Sequence, residues 1–230
     1  PNFKAKMDSR AYTAGLTQVI TRNMIGTLAF EVDTDEGFLN SPYRSVRYAV
    51  PLAQNPNGFA FDSELYPKTH TSNAASVRVK YFLPWRAAVD GQYRFYTDSW
   101  GVKGDTVQLG YTHPAWKHWV FDGRYRFYKQ NQADFYSDLF PRRNALNFQA
   151  RDKELAAYTE NTIGISASYE FHIRRAPWLE KSTINLSIDH MMIKYDNFRD
   201  VTKSTPTTVG AEPLYKLNAN IFQLFFSAWF

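Results

Sequence analysis

Along most of the chain, apolar and polar residues alternate one for one. In residues 119–128, Trp119, Phe121, Gly123, Tyr125 and Phe127 take one set of alternate positions; Val120, Asp122, Arg124, Arg126 and Tyr128 take the other. Successive side chains of an extended strand point to opposite faces, so this spacing predicts a strand with one aromatic and one charged face. The alternation recurs in 76–83, where Val77, Val79 and Tyr81 oppose Arg78 and Lys80, and in 87–96, where Val89, Tyr93 and Phe95 oppose Asp90, Gln92 and Arg94. It recurs again in 162–171, with Ile163, Ile165 and Tyr169 against Ser166, Ser168 and Glu170, and in 184–189, with Ile184, Leu186 and Ile188 against Ser187 and Asp189. No segment carries comparable helical spacing.

The strands are organised as repeated hairpins. The decapeptides VDGQYRFYTD (89–98) and FDGRYRFYKQ (121–130) match at six of ten positions, 32 residues apart. Each is preceded by an alternating strand and a turn holding Pro and Trp: Pro84-Trp85 in one case, Pro114 and Trp116 in the other. A third turn, Ala176-Pro177-Trp178, follows the same plan. Proline cannot donate to a sheet ladder and so belongs in such turns. A hairpin that repeats is an up-and-down meander. Its connections are short around 21–23, 84–86, 114–117 and 173–181, and at the opposite end longer at 33–73, 131–155 and 196–214, with a brief one at 99–104.

Short turns at one end and long loops at the other are the pattern of outer-membrane barrels. Composition agrees. With 18 Phe, 15 Tyr and 6 Trp, 17% of the chain is aromatic, yet its mean hydropathy is only −0.47. A soluble barrel would have to hold all these rings in one small interior, whereas lipid sets no such volume limit. No apolar run reaches the about 18 residues of a membrane-spanning helix. The absence of cysteine rules out a disulfide framework and thiol chemistry. Trp85, Trp116, Trp119 and Trp178 fall on the short-turn side, where an interfacial girdle is expected. The last strand places Phe222, Leu224, Phe226, Ala228 and Phe230 on one face and ends on Phe. That resembles the signal through which bacterial outer-membrane proteins engage their barrel-insertion machinery.

Counting back from the C-terminus gives strands near 215–230, 181–194, 158–172, 117–130, 105–113, 87–97, 74–83, 24–32 and 10–20. Every Pro/Trp turn then lies on one side and every long loop on the other. Nine is odd, whereas bacterial single-chain barrels have even strand numbers. The expectation is therefore an all-β, antiparallel up-and-down transmembrane β-barrel over residues 1–230, one domain, with either further strands in 33–73 (44–50 is a candidate) or N-terminal sequence beyond Pro1.

For such a barrel the expected lumen lining is Arg78, Lys80, Asp90, Arg94, Asp122, Arg124, Arg126, Glu170 and Asp189, and the expected lipid face Tyr93, Phe95, Phe121, Tyr125, Phe127, Phe222, Phe226 and Phe230. The near balance of sign fits cross-strand ion pairs filling the interior as well as a selective pore lining; Arg94 and Arg126 are expected to pair with Asp90 and Asp122 or their neighbours. His113, His118 and His172 lie near one rim but lack the spacing of a metal site. His190 beside Asp189 has no identifiable serine partner for hydrolysis. Base stacking needs aromatic and basic residues on one face, and Tyr93, Phe95, Tyr125 and Phe127 lie opposite Arg94 and Arg126. No nucleic-acid partner, metal, cofactor or catalytic residue is expected.

Four segments carry a family likeness: Tyr12-x-x-Gly15-Leu16-Thr17-Gln18; Glu36-Gly37-Phe38-Leu39-x-x-Pro42-Tyr43-Arg44; Tyr93-Arg94-x-Tyr96-x-Asp98-Ser99-Trp100-Gly101; and Tyr125-Arg126-x-Tyr128-x-Gln130-x-x-Ala133-Asp134-Phe135-Tyr136. Over most of its length the sequence resembles an uncharacterised family of porin-like bacterial outer-membrane barrels that carries only a domain-of-unknown-function label. That resemblance implies the outer membrane of a Gram-negative bacterium, a chain longer at its N-terminus, and no established activity. The function expected of a barrel with a charged lumen is a channel for small polar solutes. The alternative is a non-conducting barrel that anchors a periplasmic or extracellular partner. The partners expected are membrane lipid, the insertion machinery and other envelope proteins.

Overall fold

The computed structural model describes residues 4–172, 180–205 and 207–230. Strands β1 (Met7–Thr21), β2 (Met24–Gly37), β5 (Thr69–Phe82), β6 (Ala88–Asp98), β7 (Lys103–Ala115), β8 (Trp119–Gln130), β9 (Tyr158–Phe171), β10 (Lys181–Arg199) and β11 (Leu214–Trp229) form one nine-stranded sheet. Each pairs antiparallel with its neighbour in that order. The meander expected from the repeat is thus the observed one. The short strands β3 (Ser45–Ala49) and β4 (Phe59–Ser63) pair only with each other. The 44–50 segment is therefore extended, as the sequence allows, but as a loop hairpin and not as a strand of the main sheet.

Most of the strands run further than the alternation suggests. β2 continues to Gly37 and β5 begins at Thr69, so the 33–73 excursion shrinks to 38–68. The added stretch Thr69-His70-Thr71-Ser72-Asn73 is polar on both faces and gives no hydrophobic period to read. β1 and β11 both run from the long-loop end to the short-turn end. They are the two edges of the sheet among the described residues, and β1 is exposed along its whole length.

Register aligns the aromatic positions into continuous rows. One row crosses four strands as Trp119, Tyr169, Ile184 and Phe226, and the next as Phe121, Ala167, Leu186 and Leu224. Rings meet along these rows: Trp119 lies 4.7 Å from Tyr169 and stacks on Phe121 at 5.8 Å, centroid to centroid. Among the described residues no second layer covers them; Phe121 is 37% exposed, Phe222 69% and Phe226 59%. The buried cluster lies elsewhere, at the long-loop end, where Tyr66, Phe135, Tyr136, Ala150 and Ala156 from the loops pack on Val102 and Tyr195. The aromatic face is therefore not the interior of a soluble barrel. Trp85 and Trp116 stand exposed in the short turns, and Trp178 lies outside the described residues.

The two faces must then respond differently to charge. Ile165, in the middle of the aromatic face, is expected to lose about 2–4 kcal/mol of folding free energy in phospholipid vesicles when changed to Lys. Gln223→Lys, on the opposite face of neighbouring register, is expected to cost under about 1 kcal/mol. Denaturant titration of both variants in vesicles reads the contrast.

Candidate functional site: the charged face and its cap

The second face of the sheet carries the charges, and its arginines are tied across strands. Arg78 donates to Asp90 at 2.9 Å, Arg94 to Glu31 at 2.8 Å and Arg126 to Glu160 at 2.5 Å. Arg124 grips Asp189 with two nitrogens, the Nε–Oδ1 bond being 2.8 Å. Lys181 meets Glu170 at 2.6 Å. Among the described residues Asp122 holds no arginine; it accepts from Thr112 at 2.6 Å and Ser166 at 3.3 Å. Among the described residues Lys80 makes no ion pair. These partners correct the sequence expectation for Arg94 and Arg126. Period two fixes the face of a residue, but only register decides which carboxylate comes within reach.

Two of the pairs reach over an intervening strand, and small residues make that possible. Arg94 on β6 reaches Glu31 on β2 across Ala74 and Ser76 of β5. Arg124 on β8 reaches Asp189 on β10 across Gly164 of β9. A Cβ at Gly164 would sit 1.9 Å from the Asp189 carboxylate and 2.7 Å from Arg124 Nε. Half-exposed pairs of this kind add about 0–1 kcal/mol each. Their consequence is positional: they hold long side chains flat along the sheet and keep the space above it open.

Toward the long loops the charged face becomes aromatic. Tyr96, Tyr128, Tyr158 and Tyr195 follow one another around the rim, with Tyr128–Tyr158 centroids 5.5 Å apart and Tyr158–Tyr195 5.3 Å apart. Arg94 and Arg126 lie over Tyr96 and Tyr128 at 5.8 and 5.3 Å. The repeated Tyr-Arg-Phe-Tyr therefore puts its last ring on the arginine's own face. The separation of aromatic from basic residues inferred from Tyr93, Phe95, Tyr125 and Phe127 holds for the first and third positions only.

Loop residues fold over this rim as a cap, centred on a buried cation. Arg47 of β3 is fully buried and bidentate on Glu212, at 2.6 and 3.0 Å, while also contacting the Asp138 carboxylate and donating to the Asp138 carbonyl at 2.9 Å. Arg151 joins Asp138 at 2.8 Å and Arg199 donates to the Glu212 carbonyl at 2.5 Å. Three separate loops are thus locked together. Burial opposes ionisation of Glu212, but the bonds from Arg47 and Ser204 outweigh it and hold its carboxyl at about 2. Burial, then the Glu64 carboxylate, pushes the Tyr66 hydroxyl well above its usual range. The short β6–β7 connection is built by Asp98, which accepts from the backbone of Trp100 and Val102 at 2.9 Å each, and by Gly101, whose φ of 87° favours glycine. Between cap and arginines lies a cavity of about 390 Å³ lined by His70, Arg94, Tyr96, Trp100, Arg126 and Tyr128. A groove of about 400 Å³ continues down the charged face past Arg78, Lys80, Asp90, Asp122 and Arg124.

The sequence-derived set divides accordingly. Arg78, Lys80, Asp90, Arg94, Asp122, Arg124, Arg126, Glu170 and Asp189 share the charged face; Tyr93, Phe95, Phe121, Tyr125, Phe127, Phe222 and Phe226 fall on the aromatic face, and Phe230 follows the end of β11. Glu31 and Glu160 were missed, although Thr27, Ala29, Glu31, Asp33 and Asp35 alternate with Leu28, Phe30 and Val32 and carry the signal. Arg47, Asp138 and Glu212 had no local signal, being 91 and 165 residues apart. His113 bonds Tyr111 at 3.0 Å, His118 lies against the Tyr169 ring, and His190 bonds Asn220 at 2.7 Å.

The family described as "Protein of unknown function (DUF3570)" matches residues 4–197. The chain belongs to the DUF3570 family. No curated protein matches it. Among solved structures, this DUF3570 chain is similar to OmpT of Vibrio cholerae, an outer membrane protein folded in vitro and seen in its trimer form. The TM-score is 0.55 at 9% identity, covering 96% of this chain and 56% of that one. Outer-membrane expressed OmpT of the same organism gives 0.54 at 9% identity, covering 98% and 57%. The DUF3570 chain spans little more than half the length of these structures. At such identity the likeness is one of fold, and the fold is that of outer-membrane β-barrels.

Two outcomes are expected here. Gly164→Ala drives a methyl into the Arg124–Asp189 pair and is expected to cost about 1–3 kcal/mol in denaturant unfolding. Because the Glu212 carboxyl sits at about 2 in the fold against 4.5 unfolded, its contribution, about 3 kcal/mol at most, is complete above pH 4.5 and fades as pH falls toward 2. Amide protection factors in 38–68, 200–205 and 207–213 should therefore stay high at pH 5 and fall near pH 2 before those of the sheet do.

Proposed function

We propose that this DUF3570 protein is a β-barrel domain of the bacterial outer membrane that conducts small polar solutes along its charged face. The observation that carries the reading is the division of a single-layer sheet into uncovered aromatic rows on one side and a grooved, ion-paired surface on the other. Hydrocarbon accepts the first and water the second. On this reading Arg78, Lys80, Asp90, Arg94, Asp122, Arg124, Arg126, Glu170 and Asp189 line the lumen. Tyr93, Phe95, Phe121, Tyr125, Phe127, Phe222, Phe226 and Phe230 meet lipid, and Trp85, Trp116 and Trp119 mark the periplasmic interface. β11, with Phe230 just after it, is the segment offered to the insertion machinery. The ion pairs hold their side chains against the wall, and the cap narrows the extracellular mouth. No covalent chemistry is assigned to any residue.

A second reading is favoured by the cap itself. It packs on the rim tyrosines and buries its own charges, as a rigid docking platform for an envelope partner would. Planar-bilayer recording separates the two. Steady conductance steps, with ion selectivity moved toward cations by Lys80→Glu, are expected for the channel. Silence of the folded protein, with a co-purifying envelope protein, would establish the platform instead.

A further inference from the structure

Above the aromatic rows, register assembles lysines on the same, outward face. Lys129, Thr159, Lys194 and Lys216 follow one another directly across β8, β9, β10 and β11. All three lysines are exposed. Lys194 and Lys216 stand opposite each other, an arrangement of like charges that weakens a strand pair unless an anion joins them. Among the described residues none of the three makes an ion pair. Asp105 faces Lys129 but is engaged by the Tyr93 hydroxyl at 2.5 Å, and Asp196 above Lys194 bonds no lysine.

The height of this row matters. Ten residues separate Lys194 from Ile184 and Lys129 from Trp119. At about 3.3 Å per residue and a tilt of about 40°, ten residues rise about 25 Å, the height of a barrel's apolar band. With Trp119, Tyr169 and Phe226 at the periplasmic interface, the lysines reach the extracellular one. Asn161, Asn218, Asn220 and His190 lie just beneath them, where polar headgroup and hydrocarbon meet. Lower on the same face is an apolar groove of about 420 Å³, lined by Tyr111, Phe121, Ile165, Leu186 and Ile188 and floored by Gly123, beside which a Cβ would touch nothing. Gly123 is six residues below Lys129, about 15 Å of depth by the same geometry, within reach of a fatty acyl chain.

We propose that this surface binds a phosphorylated glycolipid of the outer leaflet, its phosphates between Lys129, Lys194 and Lys216 and an acyl chain in the groove over Gly123. The site rests on the outer-membrane reading but not on conduction. The full chain is folded into phosphatidylcholine vesicles, plain or doped with diphosphoryl lipid A or with its dephosphorylated form. Heat-dependent mobility in SDS reports folding in every case. Folding in plain vesicles, with a higher melting temperature given by diphosphoryl lipid A alone, is expected. The K194E/K216E variant should still fold in plain vesicles, lose that shift and hold the lipid roughly tenfold more weakly. Gly123→Leu, which fills the groove, should weaken retention without altering the response to inorganic phosphate. An equal shift in wild type and K194E/K216E, or an equal shift by inorganic phosphate alone, would overturn the site. Failure to fold in any vesicle would instead overturn the membrane reading beneath it.

Discussion

A single antiparallel sheet has nothing behind it. In most domains a second layer covers the apolar face and supplies the core; here, below the cap, the described residues leave both faces of the nine strands to their surroundings. Each face must therefore match a solvent of its own, and alternation along the strands writes two solvents into one backbone; β11, which also puts Ile221, Phe225 and Trp229 on the second face, departs from it. The aromatic rows, the charged rows, the girdle and the position of the one buried cluster all follow from that demand. The cluster forms where loops rather than strands provide the second layer.

On the charged face, close spacing of opposite charges serves to arrange side chains more than to stabilise them. Surface pairs of this exposure contribute little net energy, yet a free arginine would sweep through the space above the sheet. Tethering Arg94 to Glu31 and Arg124 to Asp189 lays both guanidinium groups along the wall. Both tethers span three strands, and both depend on a middle strand reduced to Ala74 and Ser76 or to Gly164. Small residues on that face are thus part of the ionic network, although they carry no charge themselves.

The cap obeys a different rule. Arg47 is deeply buried, and a buried cation is tolerable only when its donors are met. Glu212 and Asp138 meet them, and the outcome is one defined arrangement of three loops rather than a large gain in stability. The rim tyrosines supply the apolar floor on which this arrangement rests. Cap and floor enclose the cavity that separates the long-loop end from the groove below, so the shape of the mouth is set by contacts made in the loops.

Much of the fold was legible because its signal is local. Whether Phe121 or Arg124 takes the aromatic face depends only on parity, and the Pro/Trp turns and hairpin repeat fix which strands are neighbours. Strand ends were less legible: Thr69–Asn73 lacks apolar residues whose spacing could be read. The pairing of Arg126 with Glu160 rather than Asp122, and the meeting of Lys194 with Lys216, were decided by register, which turn geometry sets and parity does not. The joining of Arg47 to Glu212 across 165 residues belonged to the tertiary structure alone. The sequence determined the two faces, because period two is a property of each strand by itself; the folded sheet decided the partners, because a distance between strands exists only once they are paired.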